Sequence, residues 1–90
     1  MPVYVINCDL NTSEQEKQIN AAIKDLSGGS WCRIFDSAWL VVHNGPSAAI
    51  YDRLAPFMDE LDRLFVINVG ADYKSRLNSG PSGWVKKVLG

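Results

Sequence analysis

The chain has 90 residues, 47% of them hydrophobic and 21% charged, with nine aromatic side chains, which is the composition of one small globular domain and excludes a disordered chain. A domain this short buries only about 60–65% of the surface its unfolded chain exposes, so pairing with a second copy would add useful burial. The formal net charge is −1, which excludes the strongly basic character of a general polyanion binder.

In chain order, Tyr4, Ile6, Cys8 and Leu10 alternate with Val3, Val5, Asn7 and Asp9, the period of two of a strand with unequal faces. The larger apolar set is expected to face the core, which turns Asn7 and Asp9 to the other side of the sheet. Ser13 and Glu16 have capping-box spacing, and Ile19, Ala22, Ile23 and Leu26 follow at helical spacing until Gly28-Gly29 stops the helix. Trp31 to Phe35 and Ala38 to His43 are β-prone runs joined at Asp36-Ser37, which reads as a tight hairpin. Asn44-Gly45-Pro46-Ser47 ends that strand and opens a second helix with a stripe of Ile50, Leu54, Phe57 and Leu61. Pro56 predicts a kink or an end near Ala55. After the charged loop from Asp59 to Arg63, Leu64 to Val69 is an apolar run of strand length.

The order β-α-β-β-α-β predicts an α+β fold of ferredoxin-like type: a four-stranded antiparallel sheet with both helices on one face. Right-handed crossovers place the first strand in the middle, beside the third, with the fourth on its other side. Residues 1–70 form this domain and residues 71–90 a C-terminal extension. The second sheet face is expected to be bare, with Val3, Val5, Asn7, Val41 or Val42, Trp39 and Val66 on or near it. An open apolar face is rarely left in water, so a homodimer is expected to cover part of it.

The extension is rich in Gly, Ser, Asn and Pro until Trp84-Val85-Lys86-Lys87-Val88-Leu89, which predicts a helical turn or strand docking on the domain or on a partner. Residues 1–72 carry five basic and ten acidic side chains. Lys74, Arg76, Lys86 and Lys87 stand with no acid in residues 73–90, making them the candidates for contact with a nucleic-acid backbone. The alternative is a solvated basic tail. Cys8 and Cys32 lack a C-x-x-C or a histidine cluster and read as reduced thiols. No leader-like or membrane-length apolar segment stands in the sequence, so a cytoplasmic protein is expected.

Catalytic constellations are sparse. His43 is the single histidine, at a strand end, and no P-loop or dinucleotide fingerprint occurs. The carboxylates Asp9, Asp36, Asp62 and Asp72 fall at strand ends, where turns also recruit aspartate. Asp9 differs because its strand is central and its face is the one a second copy should cover. Two facing Asp9 carboxylates would repel, and Mg²⁺ or Mn²⁺ between them would relieve that repulsion and activate water for phosphodiester cleavage.

The pattern Tyr-Val-Ile-Asn-x-Asp-Leu at Tyr4 to Leu10, with Phe-Asp-Ser-x-Trp-Leu-Val at Phe35 to Val41 and Asp-Arg-Leu-Phe-Val at Asp62 to Val66, resembles the small bacterial SinR-family proteins. More distantly it is similar to the CRISPR-associated ferredoxin-like proteins that serve with an integrase in spacer acquisition, and to VapD-type ribonucleases. The resemblance implies a homodimer, a metal-binding catalytic aspartate at Asp9, Ser37 in the hairpin flanking that site, and Trp84 to Leu89 packing against the other subunit. Its partners would be nucleic acid and a protein such as an integrase. A reading of a different class is a non-catalytic interaction or regulatory module, in which Asp9 only ends a strand. A sensor binding a small ligand at the dimer seam is a third.

Overall fold

The computed structural model describes residues 2–70 and 72–89. Ala71, where the extension was expected to begin, lies outside them. The elements are β1 (Val3–Asp9), α1 (Ser13–Leu26), β2 (Trp31–Phe35), β3 (Ala38–Val42), α2 (Ser47–Leu54), a 3₁₀ turn (Ala55–Phe57), β4 (Arg63–Val69) and α3 (Ser79–Leu89). The four strands form one antiparallel sheet in the order β2-β3-β1-β4, so β1 is hydrogen-bonded on both sides. This is a compact α+β architecture with three helices.

Register fixes what each face carries, because directly paired residues share a face. Ile6 pairs with Trp39 on β3 and with Val66 on β4, so all three share the face that α1 and α2 cover. There Tyr4, Ile6, Cys8, Trp39 and Val41 pack with Ile19, Ile23 and Leu26 of α1 and Ile50 and Leu54 of α2. Trp39 is 1% exposed, Ile6 and Ile23 are fully buried, and Val66 packs against this core partly buried. Trp39 and Val66 are therefore core residues and not part of the second face where the sequence reading put them. Val42, not Val41, lies on that second face.

The second face is not bare either. Helix α3 lies on it, and Val85 forms a smaller core with Val3 and Leu40, joined by the partly buried Val5, Val42, Val69, Leu77 and Trp84. The helix forms despite Gly80, Pro81 and Gly83 in its first half because burying one side against the sheet outweighs weak intrinsic propensity. Trp84, expected on a dimer face, packs within its own chain. Coverage fades along β1: Val3 is buried, Val5 half-buried, Asn7 and Asp9 exposed.

Local chemistry explains the element ends. The N-cap of α1 is Thr12 and not Ser13: Thr12 Oγ1 accepts from the Gln15 N–H at 3.1 Å, and Gln15 Oε1 accepts from the Thr12 N–H at 3.1 Å. Gly28 and Gly29 take φ of 60° and 89°, left-handed values that favour glycine and end α1. Pro56 falls within the 3₁₀ turn that succeeds α2 at Leu54, so the expected stripe stops there, leaving Phe57 and Leu61 exposed. His43 serves structure: its Nδ1 lies 3.0 Å from the Leu26 carbonyl oxygen near the end of α1, placed to donate its ring N–H. Among the described residues no helix is long and apolar enough to cross a membrane.

Truncating the centre of the larger core should be costly. Ile23→Ala, at a fully buried site, is expected to lower stability by about 2–5 kcal/mol, read as a lower urea midpoint with an unchanged slope.

Candidate functional site

Asp9 ends β1 and is exposed, opposite Arg63 at the start of β4. Beside it is a small cleft of about 160 Å³ lined by Cys8, Asp9, Leu10, Glu16, Asp36, Ser37 and Trp39. The β2–β3 hairpin closes one side, and the Cys8 N–H donates to the Ser37 carbonyl oxygen at 2.9 Å. Asp9 and Ser37 thus line one cleft, together with Asp36, one of the four strand-end carboxylates, and with Glu16, which the sequence offers only as a capping residue. Glu16 pairs with Arg33 at 2.5 Å, and the Arg33 guanidinium also lies over the Trp39 ring, 4.8 Å from its centroid. The helical spacing of Glu16 offers a cap, and its ion pair with Arg33 of β2 shows that it faces the hairpin strands.

The two aspartates at this end of the sheet do different work. Asp62 accepts the Asn11 N–H at 3.1 Å, the Asp59 N–H at 2.7 Å and the Gln15 side-chain amide at 2.6 Å. Gln15 is buried, and its amide also reaches Asp59 Oδ2 at 3.2 Å, so this network ties the start of α1 to the loop before β4. Closing the turn is the task of Asp62. Among the described residues Asp9 accepts no side-chain or turn hydrogen bond, which leaves its carboxylate available.

Cys8 is buried, which disfavours its thiolate. Burial, reinforced by the negative charge of Asp62, pushes its thiol from an ordinary 9.0 up to about 11; burial also raises Cys32. Both cysteines are free thiols. Among the described residues no three His, Cys, Asp or Glu side chains are grouped to hold a metal ion.

The basic residues of the extension are not brought to Asp9. Lys74 and Arg76 line a different cleft, formed with Val85 and Leu89 of α3, and Lys86 and Lys87 are exposed in the last turn of α3, where they favourably meet the helix dipole. Asp72 is exposed beyond β4, and Asn7 is exposed next to Asp9 on the same face of β1. No protein-family description matches the chain, and no curated protein matches it.

Two measurements follow from this geometry. Asp62→Ala strands donors at the start of α1 and in the loop, and should cost about 1–3 kcal/mol, whereas Asp9→Asn should stay within about 0.5 kcal/mol of wild type in the same urea titration. For Cys8 the folded thiol holds its proton to higher pH than the unfolded one. Stability should therefore be unaffected by this group below pH 9 and fall as pH rises from about 9 towards 11, and Cys8→Ala should flatten that decline.

Proposed function

We propose that the chain acts as a cytoplasmic homodimer with a ferredoxin-like fold, of the kind found in SinR-family and CRISPR-associated proteins. In this reading pairing brings two Asp9 carboxylates to one Mg²⁺- or Mn²⁺-dependent site for cleaving phosphodiesters in RNA or DNA. The central β1 between β3 and β4, with α1 and α2 on one face, supports the fold assignment. The observation that carries the function is the half of the second sheet face that α3 leaves open.

There Phe35, Ala38, Asn7 and Phe65 form one row across all four strands, with Ile67 in the next row. Phe35, Phe65 and Ile67 are 60%, 61% and 48% exposed, more apolar area than isolated surface residues present. Asp9 stands on the same face, one row beyond Asn7, so a two-fold contact centred on this strip sets two Asp9 side chains at its margin. Bound there, a hard divalent cation would take carboxylate oxygens as ligands and lower the pKa of its water, supplying a nucleophile for the phosphorus centre. Lys74, Arg76, Lys86 and Lys87 would neutralise backbone phosphates at the edge of such a complex, and an integrase-type protein is a candidate further partner. The non-catalytic module uses the same strip but leaves Asp9 idle, and one experiment separates the two.

Wild type, Asp9→Asn and Phe65→Glu are compared for mass in solution and for cleavage of RNA and DNA with Mg²⁺, Mn²⁺ or chelator. Wild type should be a dimer with metal-dependent cleavage. Asp9→Asn should remain a dimer without cleavage, and Phe65→Glu should be a monomer without cleavage. A wild-type dimer that cleaves nothing under any metal establishes the non-catalytic module, and a monomeric wild type overturns both readings.

A further inference from the structure

Between the second sheet face and residues 72–78 lies a cleft of about 270 Å³; of the pairing strip only Phe35 reaches its lining, and Asp9 does not. The segment runs from β4, at one edge of the sheet, to α3, which contacts β2 at the other edge, so it crosses the sheet like a strap. On the strand side the cleft is lined by Val5, Ile34 and Leu40, and on the opposite side by Leu77 and Val85. Phe35, Val69, Tyr73 and Leu89 add to these walls, and Lys74, Ser75 and Arg76 complete the lining. No carboxylate among the described residues lines it, and neither cation takes part in an ion pair among those residues.

We propose that this cleft binds a free amphipathic anion of small size, a medium-chain carboxylate, with its chain against the apolar walls and its head group at Lys74 and Arg76. The volume corresponds to roughly nine waters and falls just below the usual range of roughly 300–1,000 Å³ for small-molecule pockets, which limits the ligand to a single short chain. Apolar walls with a pair of cations disfavour both a cationic amphiphile and a compact inorganic anion, because each satisfies only one half of the lining. An anion beside Lys74 and Arg76 gains charge-assisted contacts, and the buried chain supplies the apolar area.

The test titrates wild type calorimetrically with decanoate, decanol, decyltrimethylammonium and acetate, with methyl NMR to locate binding. Decanoate should bind saturably at one site per chain, at least tenfold more tightly than decanol, while decyltrimethylammonium and acetate do not saturate. The shifted methyls should be those of Leu40, Leu77 and Val85, leaving Ile23 in place. The exposed double variant Lys74→Glu/Arg76→Glu should weaken decanoate at least tenfold and leave decanol unchanged. Phe65→Glu, at a residue outside the cleft lining, should bind decanoate as wild type does, which separates binding in the cleft from pairing. Absence of saturable decanoate binding, equal binding of decanol, indifference to the double variant, or binding lost in Phe65→Glu would each overturn the proposal. So would association with phosphatidylglycerol vesicles in place of monomeric decanoate.

Discussion

The parity of β1 governs the rest of the molecule. Hydrogen-bonded to β3 on one side and β4 on the other, this strand cannot slip without disturbing two ladders. A shift by one residue would drive Asn7 and Asp9 into the core and expel Ile6 and Cys8. A carboxylate among the apolar side chains that surround Ile6 would be uncompensated, at a cost of several kcal/mol. Asp9 is thus held outward by the burial of its even-numbered neighbours, and its exposure is as firmly specified as the core itself.

A second constraint operates at the same end of the sheet. The loop from Met58 to Asp62 and the start of α1 both present backbone N–H groups with no strand partners, and Asp62 collects one from each side together with the Gln15 amide. Gln15 can be buried only because Asp62, Asp59 and the Thr12 cap satisfy both ends of its amide. That network also selects the cap. Thr12 and Gln15 form the box, so Glu16 is free to turn towards Arg33 and the hairpin. The charge balance beside Asp9 therefore depends on which of two adjacent residues caps the helix.

The sequence makes β1 legible because its two faces differ so plainly in polarity, and α1 is legible from its apolar spacing. Elsewhere the signal fails for identifiable reasons. Ala38 to Val42 and Leu64 to Val69 are apolar on both sides, since one side packs under α1 and α2 and the other towards α3 or the open strip. Alternation carries no direction in such runs, and only pairing with Ile6 assigns Trp39 and Val66 to the helix-covered core. The cap lies one residue before the expected Ser13 because Thr12/Gln15 and Ser13/Glu16 share the same spacing, and the deciding bond to Asp62 is long-range. Helix α3 was legible as a docking segment but not as a covering layer, because Gly and Pro weaken its local signal and its stability comes from Val3 and Leu40, far away in sequence.

That covering layer changes what the sheet can do. A fully bare face would accept a partner in many positions, with Asp9 anywhere from the centre of the contact to its edge. By occupying the Val3 end and leaving the Asn7 end uncovered, α3 restricts apolar contact to the rows nearest Asp9. The strap leading into α3 keeps Lys74 and Arg76 away from the Asp9 cleft, beside walls that are apolar. One face of a small sheet is thereby divided into a buried end, a cationic cleft and an open strip ending on a carboxylate. The burial of Val85 sets the boundary between these regions.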